Sequence, residues 1–101
     1  MHIYHVVMPE EWKAAANESF FEAKSLASEG FIHCSYADQL EGVLERYFAD
    51  AREVVVLHLD ANRLTSPLVS ELSTNYEPYP HIYGPINRDA IVTVEKRVMD
   101  R

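Results

Sequence analysis

Residues 53–59, Glu-Val-Val-Val-Leu-His-Leu, restrict the fold more than any other stretch of the chain. A strand with one wet face alternates apolar and polar residues, so a run this continuous fits a strand covered on both faces. The chain must therefore supply two apolar layers for it. One is legible just upstream, where Leu40, Val43, Leu44, Tyr47 and Phe48 recur at the i, i+3, i+4, i+7, i+8 spacing of a single helical stripe. The spacing predicts a helix over residues 36–49, with Ser35 as its N-cap and Asp38 three residues on, close to a capping box.

The remaining elements follow from local signals. Residues 2–7 are rich in β-branched and aromatic types and read as a first strand. Pro9 then opens a helix, Glu10 and Glu11 suit its positive end, and Trp12, Ala15 and Ala16 give it an apolar face. Residues 25–29 make one helical turn that Gly30 stops in a left-handed conformation. Residues 31–35 are a short strand, residues 60–63 a turn, and Leu68-Val69 opens another strand. Residues 73–80 are polar and hold Pro78 and Pro80, which predicts a loop, and residues 90–98 close the sheet. The order β-α-β-α-β-β-β indicates an α+β class with a mixed sheet and two main helices. A length of 101 residues suits one domain, 1–101.

Sixteen acidic against nine basic residues leave a net charge of −7 with neutral histidines. Lys96-Arg97, followed by Arg101, is the only basic cluster, which argues against a broad nucleic-acid surface. One cysteine forms no internal disulfide, and neither a signal-peptide pattern nor an apolar run long enough for a membrane helix is present. These features lead to the expectation of a cytoplasmic protein with a small-molecule ligand and no membrane partner.

Strand alternation then picks out a candidate site. In residues 31–35, Ile32 and Cys34 share one face while Phe31, His33 and Ser35 share the other. In residues 81–83, Ile82 opposes His81 and Tyr83 in the same way. Gly30 flanks the first segment and Gly84 the second, and glycine permits close approach of backbone or ligand. The two segments together predict a cleft centred on His33, His81 and Tyr83. His5 shares a face with Ile3 and Val7, which favours a structural role, and His58 lies in the buried run. Cys34 points away from His33 and has no base at hand, so it reads as a small core residue. No spacing of His, Cys or acids suggests a metal site. Asp60, Glu71 and Glu77 are the candidate carboxylates, and Glu71 follows the strand-like Leu68-Val69 and precedes a polar loop, a position from which an acid can reach a cleft.

Ser25-Leu26, Glu29-Gly30-Phe31-Ile32-His33-Cys34-Ser35, Gln39, Leu57, Asp60, Leu64, Glu71 and Tyr79-Pro80-His81-Ile82-Tyr83-Gly84-Pro85-Ile86, with Ile3-Tyr4-His5 and Trp12, closely resemble the domain of unknown function 952 family of bacterial proteins. That resemblance implies a compact, split-sheet relative of the ADP-ribosyltransferases, whose central cleft holds NAD. Tyr4-His5 is similar to the Tyr-His that opens the core of those enzymes, where the histidine grips a ribose, and Ile32-His33-Cys34-Ser35 looks like the His-hydrophobic-Ser strand of the RNA 2′-phosphotransferase branch. Val6 stands where those enzymes carry glycine. The resemblance thus makes NAD the cofactor to test. It casts His33, His81 and Glu71 as catalytic groups and His5, Ser35, Tyr83 and Gly84 as ligand-binding ones. The alternative is a non-catalytic binding module on the same fold.

Overall fold

The computed structural model describes residues 1–73 and 76–99. Its strands are β1 (His2–Val7), β2 (Phe20–Phe21), β3 (Ile32–His33), β4 (Glu53–Asp60), β5 (Leu68–Leu72), β6 (Pro78–Ile82), β7 (Ile86–Asn87) and β8 (Ile91–Val98). Its α-helices are α1 (Pro9–Ala14), α2 (Lys24–Glu29) and α3 (Leu40–Tyr47). Residues 74 and 75 of the expected loop, and Arg101, lie outside the described residues.

The apolar run at 53–59 is β4, the middle strand of the sheet β1-β4-β8. Val55, Leu57 and Leu59 face one core cluster, shared with Ile3, Val7, Phe21, Ile32 and Ile82. Val54 and Val56 face a second cluster under Leu40 and Leu44 of α3. Two cores, one on each face, account for the missing alternation. A second sheet, β3-β6-β5, lies beside the first, and β2-β7 form a short separate pair. The two larger sheets are stitched at one point, where Tyr4 and Ser35 exchange backbone hydrogen bonds of 2.9 and 2.8 Å.

The α+β class with a divided sheet is thus observed, with four corrections. The strand pairings among the described residues are antiparallel, not mixed. Helices of only six to eight residues are shorter than a long strand, so they do not carry the chain from one sheet end to the other as a parallel crossover requires. For the same reason there are three short helices rather than two main ones.

Third, Ser35 does not cap α3, because Tyr4 has claimed its backbone. The chain makes a single tight turn at Ala37–Gln39 first, and the Gln39 side-chain oxygen accepts the Tyr36 N–H at 2.9 Å. The Gln39 amide also donates to the Pro78 carbonyl at 2.7 Å, tying the start of the helix to β6.

Fourth, residues 78–80 are strand, not loop. The Pro80 carbonyl accepts the Cys34 N–H at 3.1 Å. β3 has ended by that residue, so the donor that proline lacks costs the ladder little.

Candidate functional site

β3 and β6 pair in the register that sets His33 opposite His81. With Ile32 and Ile82 buried on the core side, both imidazoles stand on the other face, their centroids 5.4 Å apart and edge to face. Phe31 stacks on His81 at 4.2 Å and also touches the rings of His33 and Tyr83.

Each histidine is held by a carboxylate. Glu71 of β5 is the diagonal cross-strand neighbour of His81, and its Oε1 lies 2.7 Å from His81 Nδ1. The same oxygen accepts the Tyr83 hydroxyl at 2.5 Å. Hydrogen bonds from Tyr83 and then His81 hold the Glu71 carboxyl below its ordinary range, and the same carboxylate pushes the Tyr83 phenol up. A carboxylate only accepts, so this contact places the proton of a neutral His81 on Nδ1 and leaves the Nε2 lone pair unclaimed. Every buried side-chain nitrogen and oxygen among the described residues has a partner, so the unbonded Nε2 is open to solvent space. On the other strand, His33 Nε2 lies 3.2 Å from both oxygens of Glu29. This pair spans four residues across Gly30, which takes the left-handed conformation (φ 91°) foreseen for it.

His33 and His81 line the polar end of a cleft of about 590 Å³, together with His5, Ser25 and Ser35. The opposite wall is apolar: Val6 from β1, Val43, Tyr47 and Phe48 from the end of α3, and Leu72 from β5. Val43 and Tyr47 of the helical stripe therefore stay out of the second core, against which Phe48 packs. Leu40 and Leu44 are buried while Tyr47 stays 70% exposed at the cleft.

His5 sits deeper than the other two. Its Nδ1 donates to the His33 carbonyl at 2.6 Å, and its ring packs on Phe21. Burial pulls its pKa down to about 4 against the opposing backbone bond, so it is neutral and pins β1 to β3.

Other candidates lie elsewhere. Tyr83 and Glu71 do not line the cleft but stand behind His81. Gly84 is also outside the lining, and its lack of a side chain has a packing reason: a Cβ there would meet Ser66 Oγ at 2.4 Å and Ser66 Cβ at 2.9 Å. Asp60 caps the turn after β4 by accepting the Asn62 N–H, and Glu77 accepts the Tyr79 hydroxyl. Cys34 is in the core, and burial pushes its thiol pKa up, away from the nucleophilic thiolate. Among the described residues no group of three His, Cys, Asp or Glu side chains is placed to hold a metal ion. Phe31 was placed on the His33 face by strand alternation, but its stacking on His81, the role of Glu29 and the α3 wall were not legible in the sequence. The one signal for Glu29 was its spacing of four from His33.

The model of the family described as Protein of unknown function (DUF952) matches residues 6–94. The chain belongs to that family. A comparison with curated proteins finds no match. The crystal structure of CC0527 from Caulobacter crescentus is 27% identical and superposes with a TM-score of 0.89, covering 99% of this chain and 89% of that one. The solution structure of CC0527 is likewise 27% identical, with a TM-score of 0.83 over 98% of this chain and 86% of its own. CC0527 thus shares this fold.

Proposed function

We propose that the cleft binds a small molecule and that His81 is its proton-handling group, working with His33 in transfer or hydrolysis on a nucleotide-sized substrate. One observation carries the proposal: Glu71 holds His81 by Nδ1 while Nε2 is left open at a cleft-lining residue. A carboxylate behind an imidazole fixes its tautomer and orientation and stabilises the imidazolium that forms when the ring takes a proton. The volume, about 590 Å³, is within the usual range for small-ligand sites.

An ADP-ribosyltransferase-like reading finds support in the split at Tyr4 and Ser35 and in the placing of His5 and His33 at one cleft end. In glycosidic chemistry on NAD, a carboxylate must face the positive charge that develops on ribose. Glu71 is the acid that reading offers, but its oxygen is engaged by His81 and Tyr83, so in this proposal it positions His81 instead. Among the described residues no lysine or arginine lines the cleft, and Val6 contributes a side chain to its wall. NAD is therefore expected to bind weakly, with a Kd around the millimolar range, or about −4 kcal/mol.

The non-catalytic binding module is favoured by one feature: among the described residues no carboxylate lines the cleft. Ligand-observed NMR with nucleosides, mononucleotides and NAD, followed over a day for conversion, separates the two. Binding with turnover that His81→Ala abolishes supports the enzyme. Binding without turnover supports the module, and no binding at several millimolar by folded protein removes both.

A further inference from the structure

Resting on the small-molecule reading, we infer that the cleft selects an amphiphilic anion with a single acidic head group: a flat apolar body against the α3 wall, with that oxyanion between His33 and His81. The polar end explains the head group. His33 uses Nε2 on Glu29 and His81 uses Nδ1 on Glu71, so each ring has one remaining nitrogen to offer. Once protonated, both present charge-assisted N–H donors, which suit an oxygen anion better than a neutral group. Ser25 and Ser35 add polar lining, and among the described residues no carboxylate lines the cleft to repel an anion.

The apolar lining explains the body and limits the ligand to one acidic group. Val43, Tyr47, Phe48 and Leu72 offer aromatic and aliphatic surface, with Tyr47 and Leu72 largely exposed until something covers them. A second charge lying on that wall meets no cation among the described lining residues, and an unpaired charge pressed against apolar surface is costly. The neighbouring Arg46 donates to the Tyr79 hydroxyl at 2.9 Å, and its guanidinium carbon lies 5.8 Å from the Tyr47 ring centroid.

The titratable and charged groups around the two imidazoles are Glu29 from α2, Glu71 from β5, Tyr83 beyond β6 and His5 from β1. His5 is buried and neutral, while Glu29 and Glu71 each contact one ring nitrogen, of His33 and His81 respectively.

Calorimetry with naphthyl phosphate, naphthoate, naphthol and inorganic phosphate tests this on the full chain. The two naphthyl anions should bind at least about tenfold more tightly than naphthol or inorganic phosphate, a gap of about 1.4 kcal/mol. His33→Gln, at an exposed position, should remove the preference for anions while leaving the fold intact. Preference for the phosphate over the carboxylate, or the reverse, identifies the head group within the proposal. Naphthol binding as tightly as the anions overturns the inference and leaves the small-molecule reading standing. Inorganic phosphate binding as tightly as naphthyl phosphate overturns the role of the wall. If none of the four binds to folded protein, the inference falls, and the nucleotide and NAD titrations decide separately whether the small-molecule reading falls with it.

Discussion

Leu44 and His33 lie within one short stretch of chain, yet the structure assigns them opposite duties. Leu44 is 2% exposed under α3, so Leu44→Ala should cost about 2–5 kcal/mol by opening a cavity beside Val54 and Val56. His33 is exposed and bonded only through Glu29 and ring contacts, so His33→Ala should cost no more than about 1–2 kcal/mol. Chemical denaturation of both variants checks this, and equal losses would make His33 a structural group. Alternation along the strand was enough to foresee which way His33 and His81 point, because a side-chain period of two is a local property. Their partners were harder to see. Glu71 reaches His81 only because β5 pairs with β6, a contact between segments that spacing alone does not join. Tyr83 was expected at the ligand and instead clamps Glu71. Tyr83→Phe should therefore let the Glu71 carboxyl rise toward its ordinary range, which a carbon-detected NMR titration of Glu71 reads directly. An unchanged Glu71 titration would dissociate the two.

At the scale of elements, α3 and β6 show where sequence reading stops. The i, i+3, i+4 stripe of α3 was legible, but it is wider than the core it covers, and its Val43 and Tyr47 side became the wall of the cleft. An apolar stripe records what avoids water, not whether a core or a ligand covers it. β6 was hidden by Pro78 and Pro80, which usually exclude a middle strand. It is tolerated because Pro78 begins the strand and Pro80 lies past the end of β3. Just beyond, Gly84→Ala tests the packing of that hairpin. A methyl group there meets Ser66 Cβ at 2.9 Å as well as its hydroxyl, at a φ of 156°, so rotation of the hydroxyl alone does not make room. A loss of about 1–3 kcal/mol in thermal denaturation is expected, and a neutral result would place the need for glycine elsewhere.

The molecule as a whole is two cores on either side of β4, with a second sheet attached through the Tyr4–Ser35 bridge and the His5 bond to His33. That attachment has a pH signature. An unfolded His5 takes up a proton below its ordinary value of 6.5, whereas the folded one resists until about pH 4. Stability present above pH 6.5 is therefore lost as pH falls through that interval, by about 3 kcal/mol in total for this one group. His5→Asn should flatten that part of the stability profile relative to wild type, and an unaltered slope would mean that His5 is not the buried neutral group described. The division of the sheet was foreseen only through family resemblance, since the bridge rests on two residues with no pattern of their own. The cleft between the two sheets is where the account stands or falls. Titrating protein labelled with nitrogen-15 histidine with naphthyl phosphate reads it most directly. The ring signals of His33 and His81 should move together, while those of His2 and His58 stay in place. Shifts confined to His2 or His58, or no shift in any ring of the folded protein at several millimolar ligand, would contradict it.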